Sequence, residues 1–241
     1  MMTTNDVEKK QYLFFDIECC NGRNICEFGY VLTDEEFNVQ KKNFILINPE
    51  AKFNLTGRVG RKDVFLHFSE DEYYASQTFP FYYYDIKNLI EARNQVVLGH
   101  SIASDAAFLR TACRRYHLNP INFDFVDTQK IYSEYVNKNR TSLEGAIKTL
   151  NIVTPAFLHK SDDDALLTME LIKSMCQTLE VGLEELISSC PSALGKTRNF
   201  QIQFDEKSTK KREYHSRATN SLGDFFRSQG IDLTKIVNND N

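Results

Sequence analysis

The side chains of this 241-residue chain best suited to chemistry are a set of carboxylates and one histidine. Asp16 and Glu18 stand one residue apart in the run YLFFDIEC. In a strand, side chains two apart share a face, so both carboxylates point the same way and can share one cation. Asp105 follows the apolar run QVVLG and a Gly-His turn. That places it near the end of a strand, where sites on open sheets collect. Asp162, Asp163 and Asp164 open a long helical stretch, and His159 stands five residues before the last of them. An imidazole titrates near neutral pH, which favours general-base work. Each feature also has a plain structural use. Asp16 and Glu18 could be acids at a strand end facing water, and the other four could be charges that favour a helix N-terminus. The joint arrangement is the informative feature: an Asp-x-Glu, a mid-chain Asp after Gly-His, and a His five residues before a late Asp.

These groups must be positioned by strands and helices legible in the pattern. Tyr12–Cys19, Ile25–Thr33 and Asn43–Ile47 read as three strands, with Asp34-Glu35-Glu36 as a hairpin loop, an antiparallel meander at the start of a mixed sheet. Loops and short helices are expected from Ala51 to about Tyr84, a stretch that includes the aromatic cluster FPFYYY. Asp85–Ala92 reads as helix, Gln95–Gly99 as an apolar strand and Ser104–Tyr116 as helix. Asp124–Asp127 is a further strand, followed by helices over Thr128–Tyr135 and Ser142–Leu150. In Ser161–Leu179, the residues Ala165, Leu166, Met169, Ile172 and Met175 line one helical face, and Ser161 with Asp164 resembles a capping box. Glu184–Ser188 closes a helix, Ser208–Glu213 is a solvated loop rather than a nucleic-acid contact, and Asn220–Gly230 forms a short terminal helix.

Taken in order, these motifs resemble the DEDDh 3′-to-5′ exonucleases of the ribonuclease H-like group, which includes proofreading subunits of bacterial DNA polymerases and several RNA-trimming enzymes. FFDIE resembles the first exonuclease motif, GHSIASDAAFL the second with its Gly-His-x-x-x-x-Asp, and HKSDDDALLTMEL the third with its His-x-x-x-x-Asp-Ala. ICEFGYVLTD, Asp127-Thr128 and SLEGAIKTLNI also look like family elements, so the likeness runs from about Tyr12 to Leu179. Where the family often has Thr-Thr-Gly after the first motif, this chain has Cys19-Cys20-Asn21-Gly22. The resemblance implies an α/β fold, a five-stranded mixed sheet with helices on both faces. It implies an exonuclease domain over residues 1–181 and a C-terminal extension over 182–241.

Carried over by position, the resemblance makes Asp16, Glu18, Asp105 and Asp164 metal ligands and His159 the general base. Asp163 stands as the fallback ligand, and Asp162 reads as a helix-start charge. Mg²⁺ and Mn²⁺ prefer hard oxygen ligands, and two such ions about 3.5–4 Å apart can orient a water for attack at phosphorus. The implied reaction is hydrolysis at the 3′ end of single-stranded DNA or RNA, releasing nucleoside 5′-monophosphates. Phe15, Ile17, His100 and Phe108 are the expected substrate contacts, His100 through loop packing rather than catalysis, with the Phe79–Tyr84 cluster near the terminal bases.

Composition narrows the alternatives. A net charge of −4 argues against charge-driven wrapping of duplex nucleic acid, though not against gripping one strand end. The six cysteines form no CxxC pair, so neither a zinc knuckle nor a disulfide framework is indicated, and reduced thiols fit a cytoplasmic protein. No run approaches the roughly 18 apolar residues of a membrane span. Two other readings stand beside hydrolysis. One is a ribonuclease H-like module that binds nucleic acid or a partner without cutting, against which the intact carboxylate set argues. The other is a subunit that docks on a polymerase or other protein through the tail after Gly182.

Overall fold

Strand β1 (Gln11–Cys19) holds the middle of the molecule because almost every residue in it has a buried use. Tyr12 and Phe14 enter one core, while Leu13, Phe15 and Ile17 enter another on the opposite face, as the two-residue period of a strand requires. β1 pairs antiparallel with β2 (Ile25–Thr33) and parallel with β4 (Gln95–Gly99). Beyond β2 lies β3 (Val39–Leu46), and beyond β4 lie β5 (Asp124–Asp127), β6 (Leu194–Arg198) and β7 (Gln201–Phe204). Among the described residues the result is a mixed sheet of seven strands in the order β3-β2-β1-β4-β5-β6-β7. The computed structural model describes residues 10–55, 65–136, 141–153 and 156–205.

Seven strands replace the five expected. The extra pair, β6 and β7, comes from the extension after residue 181: β6 pairs antiparallel with β5, and Gly195 lies so close to the Phe125 ring that an added Cβ would meet it at 2.5 Å. Their short, half-polar sequences carry little strand signal; β6 is made a strand by pairing with β5, and β7 by pairing with β6. The expected loop Ser208–Glu213 and terminal helix Asn220–Gly230 lie outside the described residues.

Helices α1 (Glu70–Ala75) and α2 (Phe79–Ile90) follow β3, and α3 (Ala103–Arg115) follows β4. After β5 come α4 (Thr128–Tyr135), α5 (Leu143–Thr149), α6 (Ser161–Leu179) and α7 (Leu183–Ser189). One core joins α4, α5, α6 and α7 to the sheet, and the other joins α2 and α3 to its opposite face. Helices therefore cover both faces. None among the described residues is long and apolar enough to cross a membrane.

Two boundaries differ from the sequence pattern for physical reasons. β3 begins at Val39 rather than Asn43, because the exposed run VQKK is an edge-strand sequence whose extended form comes from pairing with β2. α2 begins at Phe79 rather than Asp85: Phe79, Tyr83, Ile86 and Ile90 form its buried stripe, so the aromatic cluster is the first half of a helix. Phe79 and Tyr83 are spent in the core beside α3, while Phe81 and Tyr84 stay exposed.

The close approach of α6 to β2 decides where the acids end up. Gly29, paired across the sheet with Asp16, has no room for a side chain: a Cβ there would meet the Asp162 nitrogen at 2.1 Å and the Ser161 carbonyl carbon at 2.3 Å. Both obstacles are backbone, so a substituted helix must lift. Gly29→Ala is expected to lower stability by about 3 kcal/mol, the upper end of the usual overpacking cost. Thermal or urea unfolding of the variant checks this, and an unchanged midpoint would contradict the close seating of α6.

Candidate active site

The first turn of α6 is anchored by a residue the motif reading passed over. Glu27, fully buried on β2, accepts hydrogen bonds from the Ser161 backbone N–H at 2.8 Å, the Ser161 hydroxyl at 2.6 Å and the Tyr73 hydroxyl at 3.0 Å. A carboxylate at a helix N-terminus satisfies donors the helix cannot. The Ser161–Asp164 capping box expected from the sequence is therefore not formed. Lys160 is the N-cap and makes no side-chain cap, and the Ser161 hydroxyl is committed to Glu27 instead. The available signal for Glu27 was an acid inside the otherwise apolar strand ICEFGYVLT.

The three consecutive acids have separate fates. Lys42 on β3 reaches Asp162 at 2.6 Å and Asp163 at 2.5 Å, and Lys160 adds a contact to Asp162 at 3.0 Å. Asp163 also accepts the Phe157 N–H at 3.1 Å, and together these donors hold its carboxyl below the usual carboxylate range despite burial. Asp164 has no lysine. Its Oδ2 accepts the His159 N–H at 3.1 Å, and its Oδ1 is buried without a hydrogen-bond partner. Burial first, then the Glu18 charge, pushes its pKa up to about 7.

Glu18, His159 and Asp164 each bring one donor atom within 4.8 Å of the other two. His159 lies in a turn with φ 63°, its side chain half-exposed and its Nδ1 3.8 Å from Glu18 Oε1. The neighbouring Glu18 raises its pKa above the ordinary 6.5, opposed by partial burial. Asp16 shares the face of Glu18. Its pKa is raised well above normal, by burial first and then by the charges of Asp105, Glu18 and Asp164, so the four acids lie within electrostatic reach of one another. Asp105, in the first turn of α3, is only 5% exposed and receives the Ile17 N–H at 3.1 Å. Burial and the nearby acids raise its pKa too.

Three crowded acids held toward protonation, with one carboxylate oxygen that has no hydrogen-bond donor among the described residues, form a donor set that could hold a divalent cation. The donor set is all hard oxygen plus one imidazole at the edge, which suits Mg²⁺ or Mn²⁺ far better than a thiolate-seeking metal. All six cysteines are free and buried, and Cys19 beside the site is held as a neutral thiol by burial and by the same acids.

The expected substrate contacts are dispersed. Phe15 is 1% exposed, stacked on Phe28 and edge-on to Phe123, so its ring has no face to offer a nucleotide. The Ile17 side chain is buried on the same face as Phe15, and its backbone N–H is already given to Asp105. Phe108 is half-buried against that core. His100 ties loops together: Nε2 lies 2.9 Å from the Thr141 carbonyl and Nδ1 3.3 Å from the Thr128 hydroxyl. Asp127 completes this brace, accepting the Ser101 and Gln129 N–H groups at 3.1 Å each. It caps α4 while fixing the turn that leads to Asp105.

A family profile described as DNA polymerase III subunit epsilon-like, C-terminal domain, of DEDDh type, matches residues 33–175. The chain belongs to the DEDDh exonuclease family. The match spans Asp105, His159 and Asp164, while Asp16 and Glu18 precede it on β1. The sequence matches no functionally curated protein. Among solved structures, one described as 3′-end specific recognition of histone mRNA stem-loop by 3′-exonuclease superposes with a TM-score of 0.61 at 15% identity, covering 90% of this chain and 75% of that one. E. coli Exonuclease I in complex with a dA16 oligonucleotide gives 0.57 at 17% identity, over 75% of this chain and 42% of that one. Exonuclease X in complex with 5′-overhanging duplex DNA gives 0.56 at 13% identity, over 73% and 98%. At these identities the likeness is one of fold. DEDDh nucleases hydrolyse phosphodiester bonds, and this member is an enzyme of that class.

Protons would compete with any divalent cation held by these acids. Because the Asp164 pKa is raised to about 7, the metal-free fold binds a proton there that the unfolded chain, with a carboxyl near 3.8, does not. Metal-free stability therefore falls as pH rises between those values. Apparent Mn²⁺ affinity should weaken as pH drops below about 7, and Mn²⁺ should raise the melting temperature more at pH 8 than at pH 6. Calorimetric titration and thermal melts at the two pH values test this. An affinity independent of pH would contradict it.

Proposed function

We propose that the protein is a 3′-to-5′ exonuclease acting on single-stranded DNA or RNA and releasing nucleoside 5′-monophosphates. In this reading Asp16, Glu18, Asp105 and Asp164 hold two divalent cations, Mg²⁺ or Mn²⁺. The observation that carries it is the unpartnered Asp164 Oδ1 beside Glu18 and His159, in a space already shared with two other acids. Cations bound there supply charge to the scissile phosphate and lower the pKa of an attacking water. His159 takes that water's proton on a ring nitrogen, and Glu18, 3.8 Å from Nδ1, stabilises the resulting imidazolium. Asp105 and Asp164 are kept in place by backbone N–H donors, those of Ile17 and His159, so the carboxylates need not reorganise when substrate arrives.

The fold neighbours are described with an mRNA stem-loop, a dA16 strand and an overhanging duplex, which supports a nucleic-acid substrate and leaves the sugar open. Every proposed site residue lies within residues 1–181, the proposed exonuclease domain, and the extension after residue 181 adds α7 to its core and β6 and β7 to its sheet. Any docking on a polymerase or other protein is proposed for the part of the extension beyond β7. Free, buried thiols fit a cytoplasmic setting.

Incubation with 5′-labelled single-stranded DNA and RNA and Mg²⁺ or Mn²⁺ tests the reading. The wild type should shorten at least one strand from its 3′ end. Asp16→Ala should abolish cutting, and His159→Ala should slow it by about 10²–10⁴-fold, the usual contribution of a positioned base. A folded, metal-loaded wild type that cuts neither strand sinks the proposal and favours binding without hydrolysis.

A further inference from the structure

The loop that carries His159 exposes apolar surface that no core explains. Phe157, two residues before His159, is 65% exposed, and Leu158 is 39% exposed. The Phe157 backbone is nonetheless fixed by its N–H bond to Asp163, the neighbour of the proposed ligand Asp164. Its ring lies against the exposed His67, with centroids 5.7 Å apart and planes inclined by 35°. His67 in turn meets Phe68 edge-on at 4.9 Å, and Phe68 packs on Phe44 at 5.1 Å and on buried Tyr73 at 6.1 Å. Phe44 is braced from β3, with the Lys160 ammonium 4.7 Å from its ring centre. An aromatic ledge thus runs from the small core beside α1 to the lip of the carboxylate site, and its outermost ring offers a free face.

We propose that Phe157, backed by His67, is a stacking platform for a nucleobase of the single strand whose 3′ end enters the carboxylate site. The inference rests on the exonuclease reading above and names the surface that holds the strand. A planar aromatic with one open face gives affinity to any base, because every base has a π face, and it favours a strand whose bases are unpaired. This fits a chain of net charge −4, in which broad charge-driven phosphate contacts are disfavoured and stacking can supply affinity. It also moves the stacking surface away from the Phe79–Tyr84 cluster, whose inward rings are committed to the core.

The test compares wild type with Phe157→Ala, Phe157→Leu and Phe157→Tyr on 5′-fluorescent single-stranded DNA and RNA. Each strand is also made with one abasic residue placed in turn at each of the last several 3′ positions. Binding is read by anisotropy in EDTA, and cleavage in Mn²⁺. Phe157→Ala should weaken binding and raise KM about tenfold. Phe157→Tyr should restore both, and Phe157→Leu, which keeps apolar bulk without a ring, should not. At one position, removing the base should penalise wild type and Phe157→Tyr but leave Phe157→Ala unaffected. Equal affinity in wild type and Phe157→Ala, or equal abasic penalties in both, overturns the platform. A wild type that binds in a Phe157-dependent way but cuts neither strand keeps the platform and sinks hydrolysis. One that cuts with no dependence on Phe157 does the reverse, and one that neither binds nor cuts sinks both.

Discussion

The seating of the first turn of α6 on the middle of β2 is the contact from which the rest of the site follows. Glu27 supplies the acceptor for the helix start, and Gly29 supplies the space for the helix backbone to lie against the strand. Gly29 is the cross-strand partner of Asp16, and Glu27 that of Glu18. The same two β2 positions therefore receive the helix and face the two strand acids. Asp164 comes within reach of Glu18 because α6 cannot sit further out and still satisfy its terminal N–H groups. Tyr73 of α1 completes the shell around Glu27, tying a peripheral helix into the arrangement.

Gathering acids in one place is unfavourable unless something offsets their charge, and the fold manages this unevenly. Lys42 and Lys160 compensate Asp162 and Asp163, which turns two of the three helix-start acids into a fastening between α6 and the edge strand β3. Asp16, Glu18, Asp105 and Asp164 face one another with no lysine or arginine paired to them among the described residues, only the half-exposed His159 beside Glu18, and burial raises the cost of ionising Asp16, Asp105 and Asp164. Local stability is sacrificed at the site and recovered in two large cores on either side of the sheet, a distribution common where function requires groups that repel. The aromatic residues divide in a similar way. Phe14, Phe15, Phe28 and Phe125 are interior mass, while the ledge ending at Phe157 spends its apolar surface in the open.

Much of the frame was legible because it depends on local regularities. The alternation in β1 fixed that Asp16 and Glu18 share a face, and the apolar stripe of α6 set a helix from Ser161 to Leu179 with the same ends the structure shows. The His-x-x-x-x-Asp spacing singled out Asp164 among three neighbours by resemblance to a family. β3, β6 and β7 were under-read or missed, since edge and half-polar strands owe their form to pairing partners distant in sequence. The helix cap at Ser161 was misread for a related reason: a capping box is a local pattern, and a nonlocal carboxylate outcompeted it.

The sequence by itself determined the element order, the face shared by the first two acids and the chemical character of the donor set, because these follow from periodicity and side-chain type within a few residues. Only the tertiary structure decided that Glu27 anchors α6, that Lys42 on a distant strand occupies Asp162 and Asp163, that Phe15 and Ile17 are interior, and that Phe157 is presented on a ledge beside His159. Each of those outcomes depends on groups separated by tens of residues or more. Their competition for the same donors, acceptors and space is resolved only when the chain has folded.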